Sequence, residues 1–294
     1  VYLKDAGHVL GSSMFELTVT DIVGAYPEEG GKPLSRKIVF TGDLGNTPSP
    51  LLRDTEEITD ADYLLMESVY GDRNHEERDQ RLLKLADAIE DNHRRKGVLL
   101  MPMFALEKTQ EVLYELNELV EARKLPVTPI YLDAPLAIKL TNLYEHMTKN
   151  LKEGARTDMK HDDIFQFPGL RISETAQDSM AIAHMPNPKI IMAGSGMSSG
   201  GRIQHHEAHY LKDPNNTIVF TGYQAAGTLG RLILDGAPEI KIHDELVKIK
   251  ARVEFISGYS SHKDMDHLVE FVSHAAEKVK KVFVVMGETK SSLF

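Results

Sequence analysis

The 294 residues are 41% hydrophobic and 27% charged, a globular balance that excludes disorder over most of the chain. With 44 acidic against 34 basic residues the formal net charge is −10, so bulk charge alone does not hold nucleic acid, and such a partner needs a local basic groove or bound cations. The absence of cysteine excludes disulfides, thiolate zinc sites and thiol nucleophiles, and leaves 13 histidines and the carboxylates as zinc ligands.

At roughly 150 residues per domain the length suggests about two domains, or one with a large insertion. No apolar run approaches the ~20 residues of a membrane span, and no signal peptide is visible. A cytoplasmic protein without a membrane partner is expected. The chain opens on Val1 in what reads as a strand, without an initiator Met, and closes on Phe294 without a polar tail; a missing N-terminal segment is therefore expected.

The first 70 residues read as β-rich. Ser13 to Thr20 alternates through Phe15, Leu17 and Val19, as a half-buried strand does. A turn cluster at 26–33 predicts a hairpin, and Ile38–Phe40 and Tyr63–Met66 are short buried strands ending in polar residues. From residue 76 helices alternate with strands. Leu82, Leu83, Ala86 and Ile89 mark one helical face, which a cationic last turn and Gly97 close. Strands follow at 97–101, 129–132, 189–193 and 217–220, with helices around 112–120, 134–149 and 201–211. Residues 239–256 read as a β-hairpin, and a helix (264–277) and a strand (282–285) complete the chain. Alternating helices and strands imply a parallel sheet.

Four polar residues stand out singly. His8 lies between glycines in Ala6-Gly-His-Val-Leu-Gly-Ser12, which suits a metal ligand at a sheet edge and equally a satisfied structural histidine. Asp43, in Phe40-Thr-Gly-Asp-Leu-Gly45, can reach into a cleft or close an Asx turn. Glu67 ends a buried strand where a carboxylate could orient a catalytic histidine, with Tyr70, Gly71 and Asp72 reading as turn makers after it. His262 sits in Ser260-Ser-His-Lys-Asp264; once the segment turns helical, positions 262, 264 and 267 do not share a face. A single functional histidine with a capping Asp264 is the better reading than a four-ligand site.

His205 and His209 are spaced i, i+4, but the zincin pattern needs Glu after the first histidine, and His206 stands there; a polar helix face is the better reading. Two glycine-rich runs, 193–202 and 221–231, each follow a strand and end in arginine. Bare amides at helix N-termini and arginine forks favour phosphate, although glycine loops often only turn the chain. Two such runs on neighbouring strands would point to one crevice.

Taken in order, these segments resemble the β-CASP branch of the metallo-β-lactamase superfamily, which includes RNA-processing nucleases such as the cleavage-and-polyadenylation endonuclease. The segment around His8 is similar to the family's third metal-binding motif and that around Asp43 to its fourth. Glu67 matches the acidic motif that opens the β-CASP insertion, and His262 the histidine that closes it. Leu99–Ala105 with Thr109–Glu111, Asp133–Pro135, Ser195–Met197 and Gly222–Arg231 match signatures inside the insertion.

The resemblance implies an α/β architecture: a partial αββα sandwich, with residues 1–72 as the C-terminal part of the metallo-β-lactamase domain, a β-CASP insertion (73–257, a parallel sheet flanked by helices), and a return over 258–294. It implies His8 and Asp43 as metal ligands and His262, Glu67 and Asp43 as catalytic residues. RNA phosphate contacts would come from Ser195, Gly196, Arg202 and Arg231. Two Zn2+ ions about 3.5–4 Å apart would share Asp43 and a water, and His262, oriented by Glu67, would protonate the leaving oxygen. Single-stranded RNA threading between the domains and a homodimer are the partners implied.

The chain departs from the family in three places. The His-x-His-x-Asp-His run is absent and should lie before His8, so these residues alone should be inactive. Met286 stands where the family has a histidine, and thioether is a poor zinc ligand, which leaves the second ion short of one imidazole. Lys108 lies near where the family often has arginine. The rivals are a non-catalytic scaffold relative, which Met286 favours and the four retained polar residues oppose, and a DNA nuclease of the same superfamily.

Overall fold

A computed structural model describes residues 1–20 and 35–293; the hairpin expected at 26–33 lies outside them. Two compact units form, one from Val1–His75, Asn150–Lys152 and Ser261–Phe294, the other from Glu76–Lys149 and Glu153–Ser260.

The first unit begins with β1 (Tyr2–Asp5), β2 (Ser13–Thr20), β3 (Ser35–Phe40) and β4 (Tyr63–Glu67). In β2 the alternation is real, but its faces are the reverse of the expected ones. Met14 and Glu16 turn into the core, while Phe15 and Val19 are exposed. Glu16 tolerates burial because Lys4 and Lys37 lie 3.6 and 3.5 Å away, and a paired charge escapes most of the desolvation cost that excludes a lone one.

In the second unit, α1 (Arg78–Arg95), β5 (Val98–Pro102), α2 (Lys108–Glu121), β6 (Ile130–Asp133), α3 (Pro135–His146) and α4 (Glu153–Asp158) come first. Then follow β7 (Leu170–Ile172), α5 (Ala176–Ile182), β8 (Lys189–Ala193), α6 (Arg202–Tyr210), β9 (Thr217–Phe220) and α7 (Leu229–Leu234). A two-stranded hairpin, β10 (Glu239–Ile242) with β11 (Glu245–Lys248), and β12 (Arg252–Phe255) close the unit. The expected hairpin is thus shorter: β12 leaves it and pairs in parallel with β9.

Six strands form a wholly parallel sheet in the order β12-β9-β5-β8-β6-β7. Its central strands are continuous apolar runs because helices cover them. Leu100, Ile191, Ile218 and Phe220 pack with Ile182, Ile203 and Ile233 of α5, α6 and α7. Each fully buried aliphatic side chain of this kind contributes about 1.5–3 kcal/mol.

The chain returns to the first unit through α8 (Met265–Ala275), β13 (Lys281–Val285) and α9 (Thr289–Leu293). β13 pairs in parallel with β4 and completes a five-stranded sheet, β1-β2-β3-β4-β13. Leu268, Phe271 and Ala275 of α8 cover one face over Met14, Val39 and Leu64. On the opposite face Leu3, Phe15, Phe40, Leu65 and Phe283 fall in register across all five strands, and four of these, all but Leu65, are exposed.

The buried face of α1 is Arg81, Leu85, Ala88, Ile89 and Asn92, a rotation away from the apolar face expected, and Leu83 is exposed. The cause is a buried ion cluster that hydrophobic periodicity cannot show. Arg81 binds Glu111 at 2.9 Å and also Glu115, donates to the Gly258 carbonyl at 2.7 Å, and lies over the Tyr259 ring. Lys96, at φ 55°, rather than Gly97, adopts the left-handed conformation that ends the helix.

Breaking a buried pair leaves an uncompensated charge. Arg81→Ala should therefore cost about 3–5 kcal/mol in denaturant unfolding, whereas Leu83→Ser, on the exposed side of α1, should stay within about 0.5 kcal/mol. Equal effects would refute this assignment of the helix face.

Candidate metal centre

Main chain brings the first two candidate ligands together. Gly7, at φ +66°, turns the β1–β2 connection so that Gly45 can rest on it: the Gly45 amide donates to the Ala6 carbonyl at 2.7 Å, and a Cβ on Gly45 would lie 2.0 Å from the Gly7 oxygen. Thr55 Oγ1 ties both segments by donating to the Ala6 and Gly45 carbonyls. His8 and Asp43 consequently face each other, with Nε2 and Oδ2 3.9 Å apart.

The loop carrying His262 is sewn to the same place. Asn46 N donates to Ser261 O at 2.7 Å, Lys263 N donates to Leu44 O at 3.0 Å, and Gly45 and His262 form an antiparallel bridge. Asp264 caps α8 by accepting from the His267 amide, as the sequence predicts, so His262 precedes the helix. Burial alone would raise the Asp264 carboxyl, but the amides of His75 and His267 and the His267 ring hold it below the ordinary carboxylate value.

Glu67, at the carboxyl end of β4, is wholly buried. It accepts from the Leu44 amide at 2.6 Å and the Val69 amide at 3.3 Å, and both its oxygens lie 3.1 Å from His262 Nδ1. His262 and His8 rings stand 4.5 Å apart between centroids. One ligand atom each from His8, Asp43 and His262 lies within 4.8 Å of the others, and among the described residues this is the one group of three such side chains.

Sequence reasoning missed two supports. His75 places Nε2 3.1 Å from the His262 carbonyl oxygen, and its ring meets the Tyr70 ring edge-on at 4.3 Å. Tyr70, read as a turn maker, is buried as well as being in a turn. Met286 follows Val285, the register partner of Glu67, and is exposed with φ 65°; no imidazole or carboxylate extends the three-residue group there among the described residues.

The donor set suits one divalent cation: two imidazoles and a carboxylate, with His8 Nδ1 3.3 Å from the Ser261 carbonyl and His262 Nδ1 on Glu67. Outward hydrogen bonds of this type orient metal-binding histidines.

The remaining candidates lie in the second unit. Ser195, Gly196 and Arg202 border a cleft of about 350 Å3 at the carboxyl ends of β5, β6 and β8. β8 and β9 are not neighbours, since β5 lies between them. The two glycine runs meet nevertheless, through Gln224 Nε2 to Gly196 O at 2.9 Å and Gly230 N to Met197 O at 3.0 Å. They close on Phe104, whose ring a Cβ at Gly196 or Gly222 would strike at 2.3 or 2.8 Å.

Both arginines are committed to internal acceptors. Arg202 holds Asp133 at 2.7 Å and the carbonyls of Ser173 and Glu174; Arg231 holds Asp235 at 2.9 Å and the Gln224 carbonyl. His206 is buried against Asp133 at 2.7 Å and His205 stacks on His243, so these histidines are held by polar and ring contacts.

The Beta-Casp domain family matches residues 109–233, and the Zn-dependent metallo-hydrolase RNA specificity domain matches residues 246–293. Ribonuclease TTHA0252 of Thermus thermophilus is 35% identical over 259 residues, covering 88% of this chain and 59% of that protein. An RNase J-like protein of Methanocaldococcus jannaschii is 32% identical, covering 98% of this chain and 64% of its own length. Transcription termination factor FttA of Methanothermobacter thermautotrophicus is 30% identical, covering 99% and 45%. The chain thus spans 45 to 64% of the length of these relatives.

Beneath the first glycine run, Ser198 bonds the buried Glu207. Burial pushes the Glu207 carboxyl up to about 7, against the opposing effect of the Ser198 hydroxyl. The folded state therefore keeps a proton that the unfolded chain has already lost, and this stability is complete below the ordinary value of 4.5 and is lost as pH rises through 7. Thermal midpoints across pH 4.5–8 should fall less steeply in Glu207→Gln than in the wild type; parallel profiles would remove Glu207 as the source.

Proposed function

This chain belongs to the β-CASP branch of the metallo-β-lactamase superfamily, and from that premise we propose that the protein hydrolyses RNA phosphodiester bonds with bound zinc. The observation that carries the reading is the convergence of His8, Asp43, Glu67 and His262, drawn from four separated segments, at the carboxyl ends of β1, β3 and β4 in the five-stranded sheet. The names of the ribonuclease relatives support RNA as substrate.

His8 and Asp43 would hold the ion. When bound, zinc supplies Lewis-acid polarisation of a phosphoryl oxygen and lowers the pKa of an attacking water. The chain's own part is positional. Glu67, fixed by two main-chain amides, keeps the Nδ1–H of His262 in place, so the ring's other nitrogen addresses the reacting group. His75 holds the His262 carbonyl and so the backbone from which the ring projects. In this reading His262 delivers the proton to the departing oxygen. The second ion expected from the resemblance finds no imidazole at Met286, and that position favours the scaffold reading as the alternative.

The test is cleavage of a short single-stranded RNA by the full-length protein, with the DNA of the same sequence as control. Chelation should abolish cleavage and zinc restore it. His262→Ala should lower the rate about 10²–10⁴-fold, and Asp43→Asn should abolish turnover. Unchanged cleavage in both variants would refute the assignment, and a folded, zinc-replete wild type without activity on either polymer would establish the scaffold alternative.

A further inference from the structure

We propose that the cleft bordered by Phe104, Pro135 and Ser195 takes one unpaired nucleobase of an RNA strand, stacked on the Phe104 ring. The inference deepens the proposed function: it rests on that reading for RNA as the substrate, and not for the cleavage chemistry.

Strand order builds the cleft. β8 lies between β5 and β6. Its exit, residues 194–196, therefore runs between the exits of the other two strands, residues 103–105 on one side and 133–137 on the other. Strands two places apart are separated by roughly 9.5 Å, and glycine at 194 and 196 leaves that interval largely free of side chain. The space is about 350 Å3, its walls are largely apolar, and every residue lining it belongs to the second unit.

Phe104 is held from one side. A Cβ on Gly196 would stand 2.3, 2.5 and 2.6 Å from Cδ2, Cε2 and Cγ of the ring. Such nearly equal distances arise over the face of a ring and not at its rim, so the Gly196 main chain covers one face. The ring borders the cleft and is only partly buried, which leaves the opposite face for a partner. An aromatic ring in that position suits a base, because every base has a π-face to stack on it.

Charge favours the base over its phosphate. The Arg202 guanidinium is spent on Asp133 and on the Ser173 and Glu174 carbonyls. Burial would raise the Asp133 carboxyl, but His206, Ser179 and Arg202 hold it below the ordinary value, so it stays ionised and neutralises Arg202. The cleft thus presents no uncompensated positive charge. Ser195, whose hydroxyl has no hydrogen-bond partner among the described residues, can donate to or accept from a base edge. A base inside a duplex has both faces covered by its neighbours, so only an unpaired strand can fill the cleft.

The experiment measures binding by the full-length protein, with its metal chelated so that nothing is cut. The probes are a short single-stranded RNA and a set of the same RNA, each with one abasic position. In the wild type one abasic position should weaken binding about 5- to 150-fold. Phe104→Leu should weaken the intact RNA by a similar factor and bind that abasic RNA no worse than the wild type does. Phe104→Tyr, which keeps the ring, should restore both affinities, with circular dichroism reporting that each variant is folded. Independent, multiplying losses from Phe104→Leu and from every abasic position overturn the proposal. Equal affinity for all the abasic RNAs, which keep every phosphate, overturns it in favour of backbone contacts alone. Loss of cleavage with the Phe104 coupling intact would count against the hydrolase reading and leave the base site standing.

Discussion

The contact on which the site depends is that of the buried Glu67 carboxylate with the Leu44 amide, the Val69 amide and the His262 ring. An unpaired carboxylate in such a place would be prohibitively costly, and its donors come from the Asp43 turn, the β4 exit and the returning segment before α8. One charge therefore requires three segments to be correctly placed at once. The segment that holds Asp43 also holds the acceptor for His262, so ligand and ring orientation are linked through Leu44.

Much of this order can be read along the chain because apolar runs are local. β2, β8 and β9 have the expected bounds, and Asp264 caps α8 as its place before the helix implies. The failures share a cause. The inward faces of β2 and α1 carry Glu16 and Arg81, which opposite charges from distant residues make tolerable, and a hydrophobic pattern counts them as outward. β12 pairs with a strand outside the supposed hairpin, a choice that local pattern does not encode.

The site shows the same division. His8, Asp43, Glu67 and His262 carry glycine, strand-end or serine-rich contexts that single them out. His75 carries none, since its partner is a carbonyl 187 residues away. By contrast α5 was legible and missed: Thr175 and Asp178 form a reciprocal capping box, visible as Thr-x-x-Asp. The glycines of 193–202 and 221–231 suggested open backbone for an anion. In the fold, at least Gly196 and Gly222 make room for the Phe104 ring, and the closing arginines are tied to Asp133 and Asp235. Composition identifies where a backbone must pass closely, but not what it passes.

The meeting of Gly7 and Gly45 has a consequence for how this protein can vary. Because the two turns abut through peptide groups, with Thr55 as their shared clasp, the approach of the backbones that carry His8 and Asp43 is set by main-chain contact and not by the bulk of neighbouring side chains. Surrounding positions can drift in size and polarity while the gap stays the same. Altered ion preference would then arise by exchanging the donor groups themselves, since moving the two backbones would require a residue that the abutment cannot admit.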